Sequence, residues 1–299
     1  MIHSPPARGS TFAALRVGNI MRRTVLRKTP AATLRDAIGS FIKHKADALL
    51  VVGGEGTPMG VVTKTEIMGC YFSELPIDTP LVEIMGAPVI NCTPQETLQN
   101  ALLIMQDRHI HRIYVVDPDS GKVSGTLSYP DIVGVLYRYC FCCNMSLHNR
   151  KQGNEGLLDH HLTVRDVMHR SVISASSGEN LETLIELLAG YRIGALLLNG
   201  DDGLPVGVLS KTNLALAYRR GIPLSAKAES VMHRAVMCCM ESAPLEQAIR
   251  QMIFAEVSRV FIKADDSEQI TGIITLTDAA RARSGSCRAC SNSRIIPKG

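Results

Sequence analysis

The sequence predicts an α/β (α+β) protein built from four β-α-β-β-α repeats. Two sets of landmarks and one spacing carry this expectation. The stretch Gly60-Val-Val-Thr-Lys-Thr-Glu-Ile67 recurs as Gly125-Thr-Leu-Ser-Tyr-Pro-Asp-Ile132, Gly207-Val-Leu-Ser-Lys-Thr-Asn-Leu214 and Gly272-Ile-Ile-Thr-Leu-Thr-Asp-Ala279. Met21, Met85, Met168 and Met232 each close a short apolar turn that opens a repeat. Met21 to Met168, Gly60 to Gly207, Met85 to Met232 and Gly125 to Gly272 are all separated by 147 residues. Self-similarity at a fixed spacing outranks any local pattern. The chain therefore reads as a duplicated two-repeat unit.

Each element follows from its own pattern. A short extended run opens the unit: Thr24–Leu26, Pro88–Ile90, Ser171–Ile173 and Ala235–Met237. An amphipathic helix follows, because apolar residues recur at i, i+3, i+4 and i+7. Its faces are Leu34, Ala37, Ile38, Phe41, Ile42; Leu98, Ala101, Leu102, Met105; Leu181, Leu184, Ile185, Leu188; and Leu245, Ala248, Ile249, Met252. Next come apolar strands at Ala48–Val52, Ile113–Val116, Ala195–Leu198 and Val260–Ile262. A Gly/Asp/Pro turn leads into the third strand, which is the repeated glycine motif, and a second helix starts at its end. The expected boundaries are a tail at 1–15, repeats at 16–77, 78–143, 162–223 and 224–290, a polar linker at 144–161 and a second tail at 291–299.

Composition narrows the function. The 299 residues are 45% hydrophobic and 20% charged, ordinary values for a globular chain, and the lack of Trp points to an aliphatic core. A net charge of +4 is too small to argue for a nucleic-acid partner. No apolar run reaches the ~18 residues of a membrane span, and Met1–Ser10 lacks an apolar signal core. The expected location is cytoplasmic. There, nine cysteines read as thiols or metal ligands before disulfides.

The candidate site lies where the third strand becomes a helix. Thr63, Ser128, Ser210 and Thr275 are each followed three residues later by Glu66, Asp131, Asn213 or Asp278. One role is a helix N-cap with a reciprocal third-position partner. A second role is compatible with it, because free N–H groups at a helix start favour anions. The even repeats also carry Arg112 and Arg259, each 13 residues before its motif glycine, where the odd repeats have Asp47 and Gly194. These arginines are either solvated strand ends or charge-assisted phosphate contacts. His109 and His111 precede Arg112 in Arg108-His-Ile-His-Arg112, as surface histidines or part of the same site.

The four Val/Ile-Met openings, the β-α-β-β-α recipe and the Gly-apolar-apolar-Thr/Ser-x-x-Asp endings together resemble CBS domains, named after cystathionine β-synthase. That resemblance implies two tandem Bateman modules, each a pair of repeats packed through their sheets about a pseudo-twofold axis. It implies clefts for adenine nucleotides (AMP, ADP or ATP) or for S-adenosylmethionine. It further implies that Asp131 and Asp278 take ribose hydroxyls, that Ser128 and Thr275 lie near ribose or phosphate, and that basic strand residues meet the phosphates. Glu66 and Asn213 depart from the family aspartate, yet both can accept a ribose hydroxyl, so Thr63 with Glu66 and Ser210 with Asn213 are the expected odd-repeat counterparts.

The cysteines form an independent signal. Cys140-x-x-Cys143 and Cys287-x-x-Cys290 are again offset by 147 and supply four soft ligands, the count for zinc or an iron–sulfur centre. Thiol redox chemistry and simple duplication of two thiols are the other readings. Cys142 adds a further thiol, and His148, His160 and His161 lie nearby in sequence. No nucleophile–base pair, P-loop or dinucleotide fingerprint is present. The expectation is thus a regulatory, energy-sensing protein rather than an enzyme, with an adenosyl ligand, an unidentified regulated partner and homodimerisation open. The alternative is a metal or redox sensor that uses the repeats as scaffold.

Overall fold

Alternation of apolar strand and amphipathic helix builds the same unit four times in a computed structural model, which describes residues 15–135, 137 and 162–283. Repeat 1 contains α1 (Val17–Ile20), β1 (Arg27–Lys28), α2 (Leu34–His44), β2 (Ala48–Val52), β3 (Pro58–Thr63) and α3 (Lys64–Phe72). Repeat 2 contains β4 (Asn91–Cys92), α4 (Leu98–Asp107), β5 (Arg112–Val116), β6 (Val123–Ser128) and α5 (129–135). Repeat 3 contains β7 (Ser174–Ser176), α6 (Leu181–Gly190), β8 (Ala195–Asn199), β9 (Pro205–Ser210) and α7 (Lys211–Arg219). Repeat 4 contains β10 (Cys238–Met240), α8 (Leu245–Phe254), β11 (Arg259–Lys263), β12 (Ile270–Thr275) and α9 (Leu276–Arg283). In each sheet the first strand runs parallel to the second, and the second pairs antiparallel with the third.

The helix faces read from periodicity are buried in all four repeats, except that Ile42 is 37% exposed. The opening strands are displaced from expectation. They start about three residues later, at Arg27, Asn91, Ser174 and Cys238. The predicted stretches end on a residue whose carbonyl accepts from the second strand: Leu26 from Leu50, Ile90 from Tyr114, Ile173 from Leu197 and Met237 from Phe261. An edge strand needs backbone pairing on one side only, so its polar residues sit in solvent and hydrophobicity misplaces its boundary.

Repeats 1 and 2 join through their sheets. Leu50, Tyr114 and Val123 form the seam, flanked by Val25, Val52, Val61, Val89 and Val116. The opening segments are exchanged across each pair. Val17 at the start of repeat 1 lies in the same core as Leu98 and Ile113 of repeat 2, while Leu81 of repeat 2 lies with Leu34 and Val62 of repeat 1. The second pair repeats this: Val164 packs in the core of repeat 4 and Ala228 in that of repeat 3. Isolated β-bridges lock the exchange, namely Arg22↔Thr126, Val61↔Gly86, His169↔Ile273 and Val208↔His233.

The exchange explains both sequence landmarks. A Cβ on Gly60, Gly125, Gly207 or Gly272 would lie 2.7 Å from the Sδ of Met85, Met21, Met232 or Met168 respectively, and 2.8–3.0 Å from a backbone carbonyl. The motif glycine and the opening methionine of the partner repeat are therefore one contact.

The two pairs meet through helices. Repeats 1 and 3 share one core and repeats 2 and 4 another. At the first, Tyr71 stacks on Tyr218 with ring centroids 4.9 Å apart. Tyr71 Oη donates to Ile222 O at 2.6 Å and Tyr218 Oη to Leu75 O at 2.5 Å, the same bond related by the 147-residue offset. No helix among the described residues is long and apolar enough to cross a membrane.

Candidate functional site

At each strand-to-helix junction the motif hydroxyl is extended in backbone and caps the helix. Ser128 N and Oγ both donate to Asp131 Oδ2, at 2.9 and 2.5 Å. Thr275 N and Oγ1 donate to Asp278 Oδ2 at 2.9 and 2.6 Å. In the odd repeats Thr63 meets Glu66 Oε2 at 2.7 and 2.5 Å, and Ser210 meets Asn213 Oδ1 at 3.0 and 2.5 Å. One oxygen of each third-position residue thus belongs to the helix start.

The remaining atoms differ by repeat. Asp131 Oδ1 is held by the Arg22 guanidinium. Asp278 Oδ1 lies 2.9 Å from His169 Nε2. Both carboxylates are nearly enclosed, at 4% and 10% side-chain exposure, whereas Arg22 and His169 are each 66% exposed. Asn213 Nδ2 donates to Val231 O at 3.0 Å. Each even-repeat carboxylate is thus covered on its free oxygen by a solvent-exposed basic side chain. Sequence reasoning missed Arg22 and His169, yet a signal was there: each directly follows an opening methionine, and the exchange carries that methionine to the partner repeat.

The arginines need a correction. Across the ladders Arg112 pairs with Ser128 and Arg259 with Thr275, while Ala48 pairs with Thr63 and Ala195 with Ser210. The odd-repeat counterparts of the arginines are therefore Ala48 and Ala195, not Asp47 and Gly194. The backbone agrees: Lys64, Tyr129, Lys211 and Leu276 N donate to the carbonyls of Asp47, His111, Gly194 and Ser258. Counting back from the glycine failed because the even-repeat hairpins hold one extra residue. Gly194 still matters to Arg259, since Nη2 lies 2.6 Å from where its Cβ would be.

Around these residues positive charge gathers. Arg259 is half-buried and its Nη2 donates to Ser258 Oγ at 3.3 Å; burial pulls its pKa down to about 10, with Asp47 opposing. Burial also lowers Lys211, against Glu66 and with Arg259, while its Nζ donates to Thr65 Oγ1 at 2.9 Å. His111 keeps a solvent-facing edge, yet the enclosing protein, then Lys211, hold its pKa below the ordinary value; Asp47 opposes, and Arg259 and Arg281 add to the lowering. Its Nδ1 is 3.5 Å from Thr277 Oγ1, and its ring meets Tyr129 edge-on at 5.7 Å. Lys64 Nζ is paired with Asp47 Oδ1 at 2.7 Å. Arg112 Nη1 reaches Thr126 Oγ1 at 3.5 Å. His109 stays at the exposed end of α4 with a positive φ of 53°. Lys64 and Lys211 were not singled out from sequence, although both directly follow an odd-repeat motif hydroxyl.

Cys140, Cys143, Cys287 and Cys290, with Cys142, His148, His160 and His161, lie outside the described residues. Among the described residues no group of three or more His, Cys, Asp or Glu side chains can hold a metal ion. Cys70, Cys92, Cys238 and Cys239 are free thiols, and burial raises each pKa, that of Cys92 to about 11. They pack rather than react.

Comparison with known proteins agrees with this architecture. The CBS domain family model matches residues 17–72, 81–138, 164–220 and 228–285. An uncharacterised Methanopyrus kandleri protein is 27% identical over 121 residues, covering 40% of this chain and 61% of that one. The chain thus spans less than two thirds of that relative. An uncharacterised Methanocaldococcus jannaschii protein is 22% identical over 198 residues, covering 66% of this chain and 68% of its own. Its crystal structure, proposed as an archaeal homologue of g-AMPK, superposes with a TM-score of 0.74 at 18% identity, over 89% of this chain and 99% of that one. An uncharacterised Pyrococcus horikoshii protein superposes with a TM-score of 0.57 at 19% identity, over 90% and 100%. With four matched stretches covering most of its length and the fold to go with them, this chain belongs to the CBS domain family.

Proposed function

We propose that this chain is a regulatory sensor that binds adenine nucleotides or related adenosyl ligands in clefts between paired CBS repeats, and that it catalyses no reaction itself. One observation supports this above the others. Lys64, His111, Lys211, Arg259 and Arg281 come from all four repeats and gather beside capped helix starts, with Asp47 and Glu66 as opposing acids. Burial disfavours the charged forms of His111, Lys211 and Arg259, so a polyanion beside them is stabilising, and a phosphate chain offers several oxygens at once.

The ribose would take Asp131 or Asp278 as Arg22 or His169 swings away. Such a ligand binds the closed arrangement of the four repeats better than any looser one. That difference in affinity is the signal, since a ligand shifts an equilibrium only by its differential binding. Release of Arg22 or His169 alters the surface presented to a partner.

The test is thermal melting with AMP, ADP, ATP and S-adenosylmethionine. A ligand at a hundredfold excess over Kd stabilises the fold by about 2.7 kcal/mol. Absence of a shift with every one of these ligands would refute the proposal. No described residue favours the metal-sensor reading over this one.

A further inference from the structure

The four sheets place an equivalent cross-strand pair two residues in from the motif hydroxyl. These pairs are Leu50↔Val61, Tyr114↔Thr126, Leu197↔Val208 and Phe261↔Ile273. Three are apolar, and repeat 2 alone pairs two hydroxyl-bearing side chains. Both are enclosed, with Tyr114 3% and Thr126 2% exposed. Thr126 Oγ1 is satisfied, donating to Ile113 O at 3.3 Å and accepting from Arg112 at 3.5 Å. The Tyr114 hydroxyl has no hydrogen-bond partner among the described residues.

A buried hydroxyl without a partner costs roughly 1–3 kcal/mol, and an unsatisfied buried group in a native fold calls for an explanation. Packing does not supply one. Phe261 fills the equivalent step of the other pair at 2% exposure, so the fold accepts the ring without its oxygen. Position suggests what does. Arg112, Tyr114 and Val116 share one strand face, because Ile113 and Val115 turn into the helix core. Tyr114 therefore stands about 6.6 Å along β5 from Arg112, and Arg112 pairs across the ladder with Ser128. Thr126 bridges to Arg22, the residue that covers Asp131. Arg112 and Ser128 thus stand at the helix start, with Tyr114 and Thr126 one step farther along the same wall.

We infer that the Tyr114 hydroxyl is a specificity element of the cleft between repeats 1 and 2. It accepts a hydrogen bond from the exocyclic amino group on the base of the bound nucleotide. The cleft between repeats 3 and 4, with Phe261 and Ile273 at that step, does not read this group. The inference rests on the nucleotide-binding reading above and adds the recognised part of the ligand to it.

The experiment compares AMP with purine riboside 5′-monophosphate, which lacks the 6-amino group, by titration calorimetry on the full chain and on Tyr114→Phe. In the wild type, one class of site prefers AMP. Tyr114→Phe lowers AMP affinity at that site by roughly two- to tenfold, the worth of one neutral hydrogen bond. It leaves the analogue's affinity unchanged, and the unliganded chain melts no lower than wild type. Wild-type binding of AMP that Tyr114→Phe leaves intact, or equal weakening of both ligands, overturns the inference while the functional reading stands. If neither compound binds the wild type, that reading falls and takes the inference with it.

Discussion

Asp131 serves two partners with one carboxylate: Oδ2 caps the helix start and Oδ1 is covered by Arg22. Asn213 shows that an amide oxygen also serves as the cap acceptor. Asp131→Asn should therefore keep the helix start but remove the charge a ribose diol prefers. Nucleotide affinity should fall roughly tenfold or more, the worth of a charged hydrogen bond, with little change in melting. Asp131→Ala should in addition cost about 1 kcal/mol of stability by loss of the cap partner. Equal affinities in wild type and Asp131→Asn would remove Asp131 from the site. His111 gives a pH signature. Its folded-state pKa lies below the ordinary 6.5, chiefly through desolvation and then Lys211. The unfolded chain binds that proton more readily, so the contribution to stability is complete above 6.5 and is lost as pH falls toward the folded value. Urea midpoints measured between about pH 7.5 and 5.5 should fall more steeply for wild type than for His111→Gln. Bound nucleotide should flatten the wild-type profile, because a nearby phosphate favours protonated imidazole.

At the scale of elements, the glycine–methionine contact sets how closely an opening segment can approach the partner's third strand. Gly125→Ala places a methyl 2.7 Å from Met21 Sδ and 2.9 Å from Arg22 O. Overpacking of this kind costs roughly 1–3 kcal/mol. Adding Met21→Ala should recover only part of the loss, since the carbonyl cannot move without breaking the Arg22↔Thr126 bridge. Full recovery in chemical denaturation would show that the side chain alone sets the spacing. The same contact explains why the ends of the elements were harder to read than their middles. The faces of α2, α4, α6 and α8 were legible because apolar residues on one side of a helix must be buried somewhere. The opening strands were not, because parallel pairing at a sheet edge places little demand on side chains.

At the scale of the molecule, two pairs of repeats are joined by helices, and the Tyr71–Tyr218 stack with its reciprocal hydroxyl bonds lies on that joint. Tyr71→Phe and Tyr218→Phe should each cost about 1 kcal/mol by leaving a carbonyl of the other pair unpaired. The double variant should depart from additivity, because the two rings touch. It should also weaken nucleotide affinity, since the gathered cations come from both pairs. If affinity is unaffected while stability falls, the ligand is held within one pair alone. Legibility was uneven at this scale. The junctions of Ser128 with Asp131 and Thr275 with Asp278 were legible as capped helix starts because their spacing repeats. Arg112 and Arg259 were found as basic residues but set against the wrong counterparts, because one inserted hairpin residue is invisible to counting and plain in the ladder.

The repeat count, the strand–helix recipe, the capped junctions and the membership of a CBS family were determined by the sequence, because each depends on neighbours a few residues apart or on a spacing that recurs. Which repeat's opening segment completes which core, that Arg22 and His169 cover the even-repeat carboxylates, and that cations from four distant stretches gather at one place were decided only by the tertiary structure. Those facts follow from contacts between residues about a hundred positions apart, which no local periodicity encodes.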